Sequence, residues 1–178
     1  MRRRRSGIVS MGVGIAVLLL AAVSLGHGGD EEEAVALDKV PQPILESVSA
    51  RFPGAAVREA AKETEQGKLV YEISIRDKGQ DVDVTLAPDG RILVIEKEIV
   101  ARDLPAAVTK ALEDRYPAAT FRIVEEILEV GQDRELLAYY EVLLGTGSQK
   151  AVEVQVTAEG KIVHEEKKSS AAHDAEEE

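Results

Sequence analysis

The sequence contains an internal repeat, and this repeat constrains the fold more than any other feature of the chain. The segment Val40–Pro53 recurs 64 residues later as Leu104–Pro117. Further along, Val82–Ile92 recurs 70 residues later as Val152–Ile162. A repeat of this length corresponds to one supersecondary unit. The sequence therefore predicts two units in tandem, with about six extra residues in the second one, around Gly131.

Each unit is predicted to begin with an amphipathic helix, because apolar residues recur there at helical spacing. The apolar stripe of the first helix is Ile44, Leu45, Val48 and Phe52, and that of the second is Leu104, Val108, Leu112 and Tyr116. Prolines stand at both helix starts, where they cost least, and Pro53 and Pro117 end the helices. Asp103 is predicted to be the N-cap of the second helix.

Four strand-like segments follow each helix, because apolar and polar residues alternate there with a period of two. The predicted strands are 56–63, 69–76, 81–86 and 91–97 in the first unit and 121–130, 136–144, 151–157 and 161–166 in the second. The predicted fold class is α+β, with two tandem α-β-β-β-β repeats and helices packed on one face of antiparallel sheets. Whether the two sheets join into one surface is left open.

The ends of the chain differ in composition from the repeats. Four arginines at 2–5 precede an uncharged, mostly apolar stretch at 7–26, which is the pattern of a secretory signal peptide. Cleavage and retention as an N-terminal membrane anchor both remain open, and either predicts an extracytoplasmic protein, periplasmic or secreted. The predicted organisation is residues 1–26 signal or anchor, 27–37 acidic linker, 38–99 first repeat, 100–167 second repeat, and 168–178 disordered acidic tail.

Composition excludes several classes of function. The net charge of −11 disfavours nucleic acid, whose phosphates require clustered lysine and arginine. The absence of cysteine excludes disulfides, thiolate metal sites and a cysteine nucleophile. An acidic surface can attract basic partners or cations.

No set of residues indicates catalysis, a cofactor or a dedicated metal site. His27, His164 and His173 are not spaced as metal ligands, and His164 is expected to be an ordinary strand residue. The acidic pairs Asp81/Asp83 and Glu125/Glu126 are interpreted as solvated strand faces. The acidic runs 30–33 and 176–178 could hold Ca²⁺ only loosely, since they lack the spacing of a calcium loop.

A partner-binding site is predicted on the sheet face opposite the helices, because apolar residues there would interrupt an acidic surface. The predicted partner-binding residues are Leu93, Ile95, Tyr139, Leu143 and Val163. The competing interpretation is that the second sheet or a dimer mate covers these residues.

The motifs also resemble a known family. A helix ending in Phe-Pro or Tyr-Pro, a Tyr-Glu-Ile or Tyr-Glu-Val strand, and a Val-x-Val strand closed by Asp-Gly or Glu-Gly resemble the PepSY-like, beta-lactamase-inhibitor-like domain. The resemblance covers about residues 38–167 as two copies. It implies an exported, non-enzymatic module that binds a protein or peptide, with inhibition of a secreted enzyme as one possibility. The alternative is an acidic cation-binding or structural protein of the cell envelope; an enzyme is the weakest hypothesis.

Overall fold

The computed structural model describes residues 33–65, 67–132, 134–147 and 150–168. The predicted signal segment, most of the linker and the tail after Lys168 lie outside the described residues. Within the described ranges, no helix combines the length and apolar character that crossing a bilayer requires.

The same order of elements, one helix followed by four strands, occurs twice. Strand β1 (Glu33–Ala34) comes first, and 3₁₀ turns at Leu37–Lys39 and Ala101–Asp103 precede the two helices. The first half comprises α1 (Gln42–Arg51), β2 (Ala56–Glu65), β3 (Lys68–Asp77), β4 (Gln80–Leu86) and β5 (Ile92–Glu98). The second half comprises α2 (Ala106–Arg115), β6 (Thr120–Val130), β7 (Glu135–Thr146), β8 (Lys150–Val156) and β9 (Ile162–Lys168).

All nine strands form one antiparallel sheet in sequence order from β1 to β9. The two halves meet where β5 pairs with β6, from Val94 opposite Glu129 to Glu98 opposite Glu125. The halves therefore lie side by side in one surface, and neither sheet is stacked on the other. The α+β class predicted from the sequence is confirmed.

Both helices pack on the same face of this sheet. Directly paired residues project to the same face. Ile95 pairs with Leu128, and both contact the core under α1. Lys97, two positions further along β5, projects to the same face as Ile95 and pairs with Glu126. Glu126 pairs in turn with Tyr140, which belongs to the core under α2, so both cores lie on one face of the sheet. Ile44 and Val108, the helix residues at the centres of these cores, are fully buried, and burying such a side chain stabilises the fold by roughly 2 kcal/mol.

A glycine in the β4–β5 turn and another in the β8–β9 turn lie against the helices. Gly90 has φ +87° and Gly160 has φ +84°, a region that side chains disfavour. A Cβ atom at Gly90 would lie 2.5 Å from the carbonyl oxygen of Pro43, and one at Gly160 would lie 2.5 Å from that of Ala107. Each turn thus fits under the first turn of its helix only because it lacks a side chain.

The predicted start of the second helix was wrong. Asp103 lies in the 3₁₀ turn, Leu104 is extended with φ −62° and ψ 142°, and α2 begins at Ala106 without a side-chain cap. The physical reason is Pro105, because a residue before proline avoids the helical region. Pro41 has the same role before α1.

Two predicted boundaries also change. Glu33 and Ala34, assigned to the linker, pair with Lys62 and Ala61 and extend the sheet. Lys168, assigned to the tail, pairs with Ala151 at the end of β9. Charged residues at these positions made the strand ends look like linkers, although the neighbouring strands supply backbone partners.

Candidate functional site

The sheet face opposite the helices, called here the open face, carries acidic residues from six consecutive strands. Asp83 pairs with Glu96 across β4 and β5, and Glu125 pairs with Glu141 across β6 and β7. Directly paired side chains are separated by about 5 Å at their Cβ atoms and diagonal ones by about 7 Å. The resulting carboxylate band consists of Glu72, Asp83, Glu96, Glu125, Glu141 and Glu153.

Much of the carboxylate band is shielded from solvent. Glu96 is 4% exposed, Glu141 3% and Glu153 4%, whereas acidic side chains are almost never this buried unless they are paired. Asp83 and Glu125 are half-buried. The interpretation of Asp83 and Glu125 as members of a solvated strand face was therefore wrong, because neighbours on adjacent strands of the wide sheet surround them.

Partners within the band are unevenly distributed. Gln155 donates through Nε2 to Glu141 Oε2 at 3.0 Å, and the Ser74 hydroxyl donates to Asp83. Lys168 Nζ lies 3.1 Å from Glu153 Oε2. Glu96 Oε1 is buried and has no hydrogen-bond partner among the described residues. A buried polar atom without a hydrogen-bond partner costs about 1–3 kcal/mol, so Glu96 is the least satisfied member of the band.

Burial and mutual repulsion raise the pKa values of the band. Burial, reinforced by Glu125, raises the pKa of Glu96 well above its ordinary value. Burial and the charge of Glu141 raise the pKa of Glu125 to about 8. Burial and the charge of Glu153 raise the pKa of Glu141 to about 7, against the opposing hydrogen bond from Gln155. Glu125 and Glu141 therefore keep their protons to higher pH than exposed glutamates do.

The predicted partner-binding residues lie in three environments, namely the open face, two β-bulges and the core under α1. Tyr139 and Leu143 lie half-buried on the open face, opposite Ile127 and Ile123 of β6. Leu93 is the extra residue of a β-bulge in β5. Val163 is the extra residue of the matching bulge in β9 and is 41% exposed.

The predicted placement of Ile95 on the open face was wrong. Ile95 is completely buried in the core under α1. The bulge at Leu93 adds one residue to the strand, and a shift of one residue moves every following side chain to the other face. Val94 lies on the open face instead, opposite Thr85.

A groove on the helix side of the sheet is another region that could bind a ligand. It is a groove of about 890 Å³ between the end of α1, the β4–β5 turn and the β6–β7 connection. Two charged side chains, Arg51 and Arg91, line this groove, and Arg51 already makes two hydrogen bonds to Glu135 at 2.7 and 2.9 Å. The open face is the stronger candidate site because it contains a buried carboxylate oxygen, on Glu96, that has no hydrogen-bond partner among the described residues.

The described residues contain no group of three acidic or histidine side chains arranged to hold a metal ion. His164 lies half-buried on the open face opposite Gln155. His27 and His173, together with both terminal acidic runs considered for Ca²⁺, fall outside the described residues apart from Glu33.

A comparison with protein families identifies part of the chain. Residues 32–91 match the PepSY family model, described as "Peptidase propeptide and YPEB domain". Over these residues the chain is similar to PepSY domains. The match spans β1 to the β4–β5 turn and ends just before β5. No curated protein matches the chain, and the comparisons indicate no enzyme family.

Solved structures from Bacteroides share this fold. A protein assigned to the periplasm from Bacteroides eggerthii is 15% identical, with TM-score 0.59, covering 72% of this chain and 88% of its own. A BLIP-like protein from Bacteroides fragilis is 21% identical, with TM-score 0.53, covering 71% and 84%. A DUF2874 family protein from Bacteroides uniformis is 15% identical, with TM-score 0.57, covering 71% and 88%. The similarity to these structures covers more of the chain than the PepSY match does, and it shows that the fold is shared.

Sequence reasoning missed the carboxylate band, although a signal for it existed. Glu72 and Glu141 stand at the same place in the two Tyr-Glu motifs, and Asp83 and Glu153 stand at the same place in the two Val-x-Val motifs. The repeat alone therefore placed two acidic pairs at equivalent positions. Their burial and their proximity across the β5–β6 junction depended on the halves joining into one sheet.

Proposed function

We propose that this protein is an exported, non-enzymatic binding module that engages a protein or peptide through the open face. The observation that carries the proposal is the carboxylate band, an incompletely neutralised set of acidic groups on a sheet face that neither helix covers. A large surface of one charge attracts partners of the opposite charge and accelerates their association. The proposed partner therefore presents a basic surface.

Two further observations support export and a binding role. The arginine cluster and apolar stretch at the N-terminus follow the pattern of a secretory signal, and one structural relative is assigned to the periplasm. Another relative is BLIP-like, which makes a secreted enzyme one candidate partner. We further propose that the second half is a second PepSY-like unit, because it has the same order of elements.

The test uses immobilised full-length protein and an envelope extract, with chemical cross-linking to retain weak complexes. The variant Tyr139→Ala with Leu143→Ala removes two side chains from the open face. The matched control, Tyr71→Ala with Leu45→Ala, removes the same two side-chain types from the helix side. Thermal unfolding of each variant shows whether it is folded.

A protein captured by the wild type and the helix-side control, and lost with the open-face variant, supports the proposal. Equal capture by all three proteins contradicts the proposed face. Failure to capture any protein after cross-linking contradicts a protein partner. Specific micromolar binding of Ca²⁺ in the same preparation would instead favour the alternative, a cation-binding protein of the envelope.

A further inference from the structure

In the second half of the sheet, a lysine side chain of the same chain forms ion pairs with two paired acidic residues. Glu153 on β8 pairs with Glu166 on β9. Lys168, two residues beyond Glu166 and on the same face, lies 3.1 Å from Glu153 Oε2 and 2.8 Å from Glu166 Oε2. Its side chain is 20% exposed. An ammonium group held between two carboxylates neutralises their repulsion.

The first half contains the same acidic pair but lacks the lysine. Asp83 and Glu96 stand 70 residues before Glu153 and Glu166 and are paired across β4 and β5 in the same way. The position equivalent to Lys168 is Glu98. Glu98 is paired with Glu125 on β6, and like charges directly opposite each other destabilise a sheet. Where the second half has an ammonium group, the first half has additional carboxylates.

Two buried side-chain oxygens of the first half have no hydrogen-bond partner among the described residues. Glu96 is 4% exposed, and its Oε1 atom has no partner among the described residues. Thr85, its diagonal neighbour, is 1% exposed, and its hydroxyl also has no partner there. Arg76, a cation on the same face, contacts Asp81 instead.

The groups surrounding Glu96 are predominantly acidic. Burial contributes most to its raised pKa, and carboxylates on four neighbouring strands add to it. These carboxylates are Glu72 on β3, Asp83 on β4, Glu125 on β6 and Glu141 on β7. In the described part of the chain, no lysine or arginine forms an ion pair with Glu96.

We infer that Asp83 and Glu96, with Glu98 and Glu125 at the rim, bind a lysine or arginine side chain of the protein partner. This inference rests on the proposed function and specifies the chemistry that the open face recognises. The Lys168 site shows the geometry, in which one ammonium lies between two carboxylates on adjacent strands. Glu98 is exposed and Asp83 is half-exposed, so a partner side chain would contact these two carboxylates before it contacted the buried Glu96.

A divalent metal fits this site less well than an ammonium or guanidinium group. Ca²⁺ takes six to eight oxygen ligands at about 2.3–2.6 Å. The carboxylates of the described residues do not converge in that way. The pair instead reproduces the two-acceptor arrangement that Lys168 occupies in the second half.

The first experiment supplies the missing cation within the chain. Glu98→Lys places a lysine at the position equivalent to Lys168. We expect the midpoint of thermal unfolding to rise by about 3 °C or more, and we expect this gain to disappear when Glu96→Gln is present as well. Glu113→Lys, which makes the same charge change at an exposed position on α2, is the control. No gain from Glu98→Lys, or a gain equal to that of Glu113→Lys, would overturn the inference.

The second experiment supplies the cation from outside. The probe is a synthetic pentapeptide with three lysines, acetyl-Lys-Gly-Lys-Gly-Lys-amide, titrated into the full chain at low salt. The matched peptide has norleucine in place of each lysine. We expect the lysine peptide to bind, with its Kd raised about tenfold or more by Glu98→Lys and by Glu96→Gln and unchanged by Glu113→Gln.

The outcomes separate this inference from the proposed function. Equal binding of both peptides, or binding of CaCl₂ but not of the lysine peptide, contradicts the inference. Capture of a partner that depends on Tyr139 and Leu143 but is insensitive to Glu98→Lys contradicts the inference and leaves the proposed function standing. Lysine-peptide binding that depends on Glu96, combined with no captured protein, supports this site and contradicts the proposed function.

Discussion

The stability of this protein is expected to fall as pH rises from about 5 to about 8.5. Glu125, with a folded pKa of about 8, and Glu141, with a folded pKa of about 7, both have an ordinary value of 4.5. A carboxyl group with a raised pKa binds its proton more tightly in the folded chain than in the unfolded chain. Its contribution is fully present below pH 4.5 and is lost as pH rises through the folded pKa.

The magnitude follows from these values. At about 1.4 kcal/mol per pH unit, Glu125 alone corresponds to about 5 kcal/mol and Glu141 alone to about 3 kcal/mol. The two are paired neighbours, and the charge of Glu141 raises the pKa of Glu125, so their effects are not additive. We expect a joint loss of about 5 kcal/mol in the free energy of unfolding across this range.

The surrounding groups determine how far the pKa values of Glu125 and Glu141 are raised, and therefore how much stability is lost as pH rises. Burial and neighbouring acids raise both pKa values, whereas Gln155 and Lys168 lower that of Glu141. The charged or titratable groups that face the pair from strands β4, β5, β8 and β9 are Asp83, Glu96, Glu98, Glu153, His164, Glu166 and Lys168.

Urea unfolding at several pH values measures the effect directly. The variant Glu125→Gln with Glu141→Gln removes both titrations while preserving side-chain shape, and we expect it to lose more than half of the pH dependence. Glu113→Gln, at an exposed position on α2, serves as the control and should retain the wild-type dependence. A free energy of unfolding that rises with pH, or a dependence that is the same in the double variant, would refute the reasoning.

Two further predictions concern packing. Gly90→Ala should lower the free energy of unfolding by about 2 kcal/mol more than Gly79→Ala does. Both glycines have positive φ, but only a Cβ at Gly90 would meet the backbone of α1. Urea unfolding compares the two variants, and equal losses would contradict the close approach. Ile95→Ala should cost about 3 kcal/mol, since Ile95 is completely buried, while Val163→Ala, at the exposed bulge, should cost less than about 0.5 kcal/mol. A cost for Ile95→Ala as small as that for Val163→Ala would contradict its place in the core.

The helices and strands were predictable because each depends on local periodicity. The stripe of Ile44, Val48 and Phe52 is buried as expected, and the alternation in β3 and β4 places Ile73 and Val84 in the core. The Asp-Gly turn at Gly90 was likewise readable, since glycine is favoured where φ is positive. These features require only the residues within a few positions of one another.

The candidate site was less predictable because it depends on long-range pairing. The bulge at Leu93 exchanges the faces of Val94 and Ile95, and no local pattern marks that extra residue. The burial of Glu96 depends on β6, which begins more than twenty residues later and covers the edge of β5. The acidic positions of the repeat could be listed from the sequence, but their assembly into the carboxylate band could not.

The β5–β6 junction has a consequence for how the molecule folds. The PepSY match ends at Arg91, whereas β5 begins at Ile92 and supplies Ile95 to the first core. Leu128 of the second half also packs against that core. A fragment limited to the family match would therefore lack both contacts and end in an unpaired strand edge. We therefore expect the cooperative folding unit to be larger than the segment that the family model matches, and the two halves to unfold in a single transition.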